Sequence, residues 1–280
     1  MKDIKVDLHL HSSWSDGSMR IQQIVKLAKL IGLDAISITD HDTMANMRAV
    51  TAEGERQNLR VLPGVEISAF NPNTGRKVHI LGYLVEDALT LTDACRPYLG
   101  ARHRANLLAL ERVRAAGYPI DEDDVSLYIG EGGILHRQHT MHALADRGYT
   151  PTIYGDLYDR LYGPDGIAVV KSDYMPAMDA VRLIKETGGF AVLAHPFQYD
   201  SMEYLPTLVS SGLNGIECWH HTQTPERQDA VKAAAGKYGL FLTGGSDWHG
   251  LYSEKTIPPG ALDIRLTGNH PLMSARIARP

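Results

Sequence analysis

Two histidines near the start of the chain, His9 and His11, are spaced in a way that suits metal binding. Residues 4–11 alternate apolar and polar side chains, a pattern that predicts a β-strand. Residues two apart on a strand point to the same face, so the two imidazoles would lie side by side. Neutral imidazoles are common ligands of transition metals. A polar strand face without metal gives the same pattern, so the pair alone leaves both interpretations open.

Metal-type side chains recur in four later segments, and each one alone also fits a structural role such as a turn residue, a helix cap or a core histidine. Burying so many polar groups together without a cation would be costly. They are too many for one ion, which takes about four to six ligands. We therefore predict two or three divalent ions, and the imidazoles favour Mn²⁺, Fe²⁺ or Zn²⁺ over Mg²⁺. The candidates are Asp16 beside the first pair, then Asp40, His41, Glu66, His79, His195, Asp247 and His249.

The elements that would position these side chains alternate between strand and helix. Such alternation implies a mostly parallel sheet with helical crossovers, and the turn-rich segment 71–75 indicates one antiparallel hairpin. Asp42, which follows His41, is more typical of a helix cap than of a ligand. The predicted strands are 4–11, 35–39, 60–70, 77–85, 190–194, 215–219 and 240–243. The predicted helices include 44–57, 101–116, 176–186 and 225–237.

Several candidate ligands fall at the carboxyl ends of predicted strands, where the active sites of α/β barrels are built. The chain is therefore predicted to be an α/β protein, with an incomplete (β/α) barrel favoured and an open doubly wound sheet as the alternative. Residues 91–171 lack strand signals and are rich in helix formers. We predict that residues 1–90 and 172–280 form the barrel and that residues 91–171 are a mainly helical insertion.

Composition excludes some function classes for this chain of 280 residues. The net charge of −5 provides no basic field for long nucleic acids. Cys95 and Cys218 do not form a CxxC pair, which favours reduced thiols. Neither a signal peptide nor an apolar run long enough to cross a membrane is apparent. We expect a cytoplasmic protein that does not bind membranes, and no stable protein partner is indicated.

The candidate ligands stand in segments that closely resemble those of the PHP (polymerase and histidinol phosphatase) family. The resemblance implies a distorted (β/α)₇ barrel with a trinuclear metal site, in which Glu66 bridges ions and Asp40 supports the site from behind. The matching segments are 7–12 with 15–17, 39–42, 64–68 with His79, 194–196 and 245–249. The ligands implied are His9, His11, Asp16, His41, Glu66, His79, His195, Asp247 and His249.

A helical insertion between the fourth strand and the His195-Pro196 segment is typical of one branch of this family. Members of that branch act on 3′,5′-bisphosphate nucleotides or remove 5′ nucleotides from short RNA, and the insertion serves as a substrate lid. The position that would contact phosphate is Arg137, which also fits an ordinary helix surface. Lys171 is a second candidate. Gln198 stands where relatives often have a basic residue, so it supplies no charge to a phosphate.

The resemblance predicts a phosphoric ester hydrolase in which water activated by the ions attacks phosphorus. The expected substrate is a small nucleotide, with the 3′-phosphate of a 3′,5′-bisphosphate as the favoured target and short RNA as a further one. Histidinol phosphate or another small phosphomonoester is an alternative substrate. A non-catalytic PHP module is the alternative from another class, although retention of all the ligands favours an enzyme. The residues expected to serve catalysis are Asp247, Glu66, His195 and Asp40.

Overall fold

A computed structural model describes residues 3–255 and 257–275, and these form a curled nine-stranded sheet flanked by helices. The sheet order is β8-β7-β6-β4-β3-β2-β1-β9, and β5 pairs with β3 outside this path. Seven of these strands, β1–β4 and β6–β8, correspond to the seven predicted from the sequence. The strands are β1 (Asp3–Leu10), β2 (Ala35–Ile38), β3 (Arg60–Phe70), β4 (Lys77–Tyr83), β5 (Met175–Pro176), β6 (Phe190–Leu193), β7 (Gly215–Trp219), β8 (Phe241–Gly244) and β9 (Arg265–Thr267).

The predicted antiparallel hairpin is confirmed: β3 and β4 run in opposite directions, with Ser68 opposite His79. The sequence indicated only this one reversal, but β4 is also antiparallel to β6. Both pairings have the same cause, because one reversed strand is antiparallel to each of its neighbours. The short strand β9 adds an antiparallel partner for the start of β1, in a segment whose residue pattern predicts no clear element.

The two ends of the barrel sheet meet at the end of β1. Leu10 forms an isolated parallel bridge with Trp248, just after β8. The backbone N–H of Asp247 donates to the carbonyl of His9 at 2.9 Å, and the N–H of His11 donates to the carbonyl of Trp248 at 3.0 Å. Such a close approach requires glycine at residue 245, because a Cβ on Gly245 would lie 2.3 Å from the Cβ of His9. The closure therefore places the first and last barrel strands side by side.

Helices cover the outer face of the sheet and bury their apolar stripes against it. In α1, the buried residues Ile21, Ile24, Val25 and Ala28 recur at helical spacing. The helices are α1 (Ile21–Leu30), α2 (Met47–Gln57), α3 (Ala88–Ala115), α4 (Glu122–Ser126), α5 (Arg137–Asp146), α6 (Asp156–Tyr162), α7 (Ala177–Glu186), α8 (Leu205–Ser210), α9 (Pro225–Tyr238) and α10 (Pro271–Ser274).

The long helix α3 belongs to two hydrophobic cores. Leu91 and Cys95, in its first half, pack in the core between the sheet and its helices. From Leu107 onward, residues of α3 pack with α4, α5 and α6 in a separate cluster that extends to Val170. The predicted helix over 101–116 therefore begins earlier, at Ala88. The division of the chain at residues 91 and 171 stays a prediction.

Within residues 3–255 and 257–275, none of the helices combines the length and the apolar character that a membrane span requires.

Candidate metal centre

The nine predicted ligands converge on one end of the barrel, although they come from segments far apart in the chain. His9 lies on β1 and His11 just beyond it, while Asp16 is in the following loop. Glu66 and His79 lie within the paired strands β3 and β4. The other four follow strand ends, as barrel architecture predicts. They are His41 after β2, His195 after β6, and Asp247 and His249 after β8.

One group of ligand atoms surrounds a point between β1, β3 and the loop after β8. The Nε2 atom of His9 lies 3.2 Å from Oε2 of Glu66 and 3.3 Å from Oδ1 of Asp247. The Nε2 atom of His11 lies 3.2 and 3.1 Å from the same two oxygens. Ligand atoms held about 2.1 Å from a shared ion are spaced roughly 3.0–3.4 Å apart. The spacing of this group therefore suits a divalent cation.

Glu66 lies at the centre because its two carboxylate oxygens face different histidines. Oε2 faces His9 and His11, as described above. Oε1 lies 2.7 Å from Nδ1 of His79 and 2.9 Å from Nε2 of His195. Its position in the middle of β3 holds the carboxylate between these pairs. A carboxylate so placed is able to bridge two ions, the role that the family resemblance implied.

A further group is formed by Asp16, His41 and His249, with His11 nearby. Nε2 of His249 lies 3.3 Å from Oδ1 of Asp16, and Nε2 of His41 lies 3.8 Å from Oδ2 of the same carboxylate. His41, just beyond β2, forms an isolated parallel backbone bridge with Glu66, and its Nδ1 lies 3.4 Å from Oε2 of Glu66. The imidazole of His41 therefore lies between this group and the one that contains Glu66.

Several buried polar atoms of the cluster have no hydrogen-bond partner among the described residues. A buried polar atom left without a partner is costly, so these atoms call for a ligand. Oxygen and imidazole donors together suit Mn²⁺, Fe²⁺ or Zn²⁺. The donor set of the structure thus fits the predicted ions. The unpartnered atoms are His9 Nε2, His11 Nδ1 and Nε2, Asp16 Oδ1, His195 Nδ1 and Asp247 Oδ1.

The electrostatics of the cluster show strong mutual attraction between imidazoles and carboxylates. Burial opposes charge on His9 and His11, but Asp247 and Glu66 outweigh it and raise both pKa values, that of His11 to about 10. Burial also opposes ionisation of Asp16, Glu66 and Asp247, yet the neighbouring histidines hold the pKa of each carboxyl well below its usual range. The carboxylates are therefore ionised at neutral pH, which is the form that binds cations.

The imidazoles of His41 and His79 behave in the opposite way. Burial lowers the pKa of His41 to about 3, despite the attraction of Asp16 and Glu66. Burial likewise lowers the pKa of His79. Both rings are neutral at physiological pH, and the neutral ring is the one that ligates metal.

Asp40 lies outside the ligand groups and braces the loop that carries Asp16. Its Oδ1 accepts from the backbone N–H of Ser12 and from the hydroxyl of Ser15, both at 2.7 Å. Its Oδ2 accepts from the Ser12 hydroxyl and the Asn46 amide, both at 2.5 Å. This completely buried carboxylate therefore orders the loop from behind.

The structure adds residues that were not predicted from the sequence. Glu217, on β7, is completely buried; its Oε1 lies 3.1 Å from Nδ1 of His9, and its Oε2 accepts from the backbone N–H of His195 at 2.7 Å. An ionised carboxylate only accepts hydrogen bonds, so Nδ1 of His9 carries a ring hydrogen, and Nε2 is the atom that would bind a metal on release of its proton. His220, which follows β7, lies with Nε2 3.4 Å from Oδ2 of Asp247.

The insertion also contributes a histidine that was not predicted. Nδ1 of His136 lies 3.9 Å from Oδ2 of Asp16. Burial lowers the pKa of His136 well below its usual value. His136 immediately precedes α5, so a neutral imidazole from the insertion faces the barrel ligands.

A cavity of about 240 Å³ opens between the cluster and the insertion. Arg137 and Lys77 line it. Desolvation at the cavity wall and repulsion from Arg137 and Arg102 lower the pKa of the Lys77 ammonium to about 8. Lys171 is exposed, and its neighbours Val170 and Ser172 line the cavity instead, so its role in phosphate binding stays a prediction.

Residues 7–126 match the family model of the PHP domain. A phosphoribosyl 1,2-cyclic phosphate 1,2-diphosphodiesterase from Eggerthella lenta is 42% identical over 248 residues, which are 88% of this chain and 94% of the relative.

More distant relatives and a solved structure agree with this match. The 5′-3′ exoribonuclease Rnm of Salmonella typhimurium is 29% identical, covering 87% of this chain and 84% of the relative. The 3′,5′-nucleoside bisphosphate phosphatase of Chromobacterium violaceum is 27% identical, covering 87% of each. A crystal structure of a candidate metal-dependent phosphoesterase from Bifidobacterium adolescentis superposes with a TM-score of 0.82 at 28% identity, covering 90% of each chain. The predicted α/β barrel is thereby confirmed.

Proposed function

The chain belongs to the PHP family of metal-dependent phosphoesterases, and on this premise we propose that it hydrolyses a phosphate ester of a small ribose derivative that carries a second phosphate group. One observation carries the proposal. The cavity joins a cluster suited to divalent cations to two basic side chains, Lys77 and Arg137, that lack a carboxylate partner among the described residues. A substrate with two phosphates would place one at the cluster and the other at these cations.

The nine ligands of the cluster would hold two or three Mn²⁺, Fe²⁺ or Zn²⁺ ions. The chemistry that such ions supply when bound is Lewis-acid polarisation of phosphoryl oxygens and activation of water. Glu217 keeps the ring hydrogen of His9 on Nδ1, and Asp40 orders the loop of Asp16. These two carboxylates would hold the ligands in the geometry that the chemistry needs.

Phosphate recognition would come mainly from the insertion. Arg137 opens α5, and its guanidinium lies over the ring of Tyr162 at 5.3 Å, which restricts its motion without neutralising its charge. A guanidinium donates paired hydrogen bonds that match phosphate oxygens. Lys77 would supply a second charge from β4. We assign residues 91–171, which bring Arg137 to the cavity, the role of a substrate lid.

Two substrates fit this description. The first is a 3′,5′-bisphosphate nucleotide, whose 3′-phosphate would be removed; a relative with that activity supports it. The second is a 5-phosphoribosyl 1,2-cyclic phosphate, which is favoured by the relative of 42% identity. The cavity of about 240 Å³ also favours a small substrate, because pockets for drug-sized ligands measure about 300–1,000 Å³. Short RNA would have to place only its 5′ end inside.

The test is a comparison of kcat/KM on four substrates with protein that has been stripped of metal and reloaded with Mn²⁺. They are 3′-phosphoadenosine 5′-phosphate, 5-phosphoribosyl 1,2-cyclic phosphate, a 5′-phosphorylated RNA oligonucleotide and histidinol phosphate. We expect one of the first two to exceed the others. A preference for histidinol phosphate, or no turnover of any of the four, would contradict the proposal.

A further inference from the structure

Arg102 connects the helical insertion with the back of the metal centre. It lies in the middle of α3, between the half that packs in the barrel core and the half that packs in the insertion core. Its side chain is only 15% exposed, and it reaches the loop after β2 and the end of β3. Arg102 was not among the residues selected from the sequence.

The guanidinium makes two short contacts in the barrel. One Nη2 atom donates to Oδ2 of Asp42 at 2.7 Å and to the hydroxyl oxygen of Ser68 at 2.6 Å. Asp42 and Ser68 are also joined to each other, because the backbone N–H of Ser68 donates to Oδ1 of Asp42 at 2.8 Å. Asp42 is therefore not the predicted helix cap: α2 begins later, after Asn46, and the Asp42 carboxylate is paired with Arg102.

Ser68 carries the contact on to a predicted metal ligand. Its hydroxyl lies 3.2 Å from Nδ1 of His41, and the Nε2 atom of His41 faces Asp16. Arginine only donates hydrogen bonds, so the Ser68 oxygen must accept from Arg102. A second lone pair of the Ser68 oxygen is able to accept the Nδ1–H of His41, which leaves Nε2 of the ring for an ion. The chain of contacts therefore runs from α3 through Ser68 to Nδ1 of His41, which also lies 3.4 Å from Oε2 of Glu66.

We propose that Arg102 is a positioning residue through which the insertion controls how tightly the Asp16, His41 and His249 group holds its ion. The inference rests on the metal centre of the proposed function and assigns to the insertion a second role besides covering the substrate. Groups that orient a ligating histidine from behind typically change metal affinity by about 10–100-fold when removed. We expect the loss of metal affinity on removal of the Arg102 guanidinium to fall in that range.

The test measures Mn²⁺ binding directly, by electron paramagnetic resonance of free Mn²⁺ during titration of the stripped protein. Arg102→Met is expected to weaken one class of site by about 10–100-fold. Ser68→Ala should weaken the same class, and Ser68→Ala combined with Arg102→Met should add little, because both break one path. Arg102→Lys retains the charge with a single donor group and should recover part of the affinity. Visible absorption of the Co²⁺-loaded protein reports whether the ligand geometry changes.

Arg102→Met also leaves Asp42 buried without its cation, which could destabilise the fold. The double variant Arg102→Met/Asp42→Asn removes that stranded charge, with Asp42→Asn alone as its reference. The inference requires that the weaker Mn²⁺ binding persists in the double variant. Arg104→Met, at an exposed position on the same helix, is the matched control and should bind Mn²⁺ like the wild type.

The possible results separate this inference from the proposed function. Unchanged Mn²⁺ affinity and an unchanged Co²⁺ spectrum in Arg102→Met, with the wild type binding Mn²⁺, would overturn the role of Arg102 alone. Recovery of full affinity in the double variant would do the same, because the defect would then come from the stranded Asp42. A wild-type protein that binds no Mn²⁺ would overturn the metal centre and this inference together.

Discussion

The two walls of the cavity are built on different principles. The barrel wall carries its functional atoms on or next to strands, and most of them are buried: Glu66 is 1% exposed, and His9 and His11 are completely buried. The insertion wall presents longer side chains, such as Arg137 on α5 and Tyr154 in the loop before α6, which are only partly buried. The insertion also has a hydrophobic core of its own.

This difference indicates how catalysis and specificity are divided. A buried ligand such as Glu66 is held by several partners at once, so its replacement changes the metal centre itself. A half-buried arginine on a separate helical unit can be substituted with little effect on the structure of the barrel. Relatives with different substrates named for them match nearly the whole chain. We expect the barrel wall to account for the shared phosphoester chemistry and the insertion wall to account for the choice of substrate.

Removing the metal should have the largest effect and should fall on the barrel wall alone. Treatment with a strong chelator is expected to reduce phosphate release to background, and added Mn²⁺ should restore it. Loss of a ligand present at about 100 times its Kd costs about 2.7 kcal/mol of stability, so the melting temperature should fall as well. Phosphate release and calorimetry check this. Full activity in the chelated protein would contradict the assignment of the barrel wall as a metal centre that catalysis requires.

Glu66→Gln should come next, because this one side chain faces both sets of histidines. Removing a single transition-state donor costs about 10²–10³ in kcat, and a bridging carboxylate should cost more than about 10³. Elemental analysis should find less metal per chain, while circular dichroism stays as in the wild type. Glu55→Gln, at an exposed position of α2, is the control. Turnover within tenfold of the wild type would show that Glu66 is not central.

Arg137→Met tests the insertion wall and should change KM more than kcat. A hydrogen bond to a charged group contributes about 1.5–3 kcal/mol, so KM should rise about 10–100-fold while the metal content stays constant. Arg114→Met, at an exposed position on α3, is the control. Steady-state kinetics and metal analysis distinguish substrate binding from support of the metal centre. A loss of metal together with an equal loss of kcat would show that Arg137 supports the metal centre.

Gly132→Ala should have the smallest effect, since it changes only how the insertion sits on the barrel. A Cβ at Gly132 would lie 1.9 Å from the carbonyl oxygen of Trp14, so the loop before α5 would have to move away from the loop of Asp16. Overpacking of this kind costs about 1–3 kcal/mol, and we expect a rise in KM of less than about tenfold. Gly236→Ala, in α9 with open space around it, should leave KM unchanged. A large loss of metal in Gly132→Ala would contradict the separation of the walls.

The barrel wall was largely predictable because its residues have spacings that short-range geometry explains. His9 and His11 are two residues apart and so point to the same face of β1 and its extension, and His195 and Asp247 follow the ends of strands. Glu66 stood out as a carboxylate between apolar residues. The same signal was present at Glu217, within a strand that is equally apolar, and His220 follows that strand directly. Both could have been selected by the rules that selected Glu66 and His195.

The insertion wall was less predictable because its contacts depend on how helices pack over long separations. Nothing in the neighbourhood of Arg102 indicates that it will reach Asp42, 60 residues earlier. Lys171 has the right charge but faces solvent, whereas Lys77 lines the cavity. Lys77 stands two residues before His79 and so shares its strand face, but it is the reversed direction of β4 that brings the start of this strand to the cavity end of the barrel. Charge is visible in a sequence, but the direction of a long side chain is not.

The closure of the barrel between β1 and the segment after β8 has a consequence for the order in which the protein matures. The backbone N–H of Ser246 donates to the carboxylate of Asp7, 239 residues earlier, and the first ligand group needs both His9 and Asp247. Contacts of such long separation form late in folding. A nascent chain still attached to the ribosome therefore lacks this group until its last strands have emerged. We therefore expect that translation products truncated before Asp247 bind no ion at the group of His9, His11, Glu66 and Asp247.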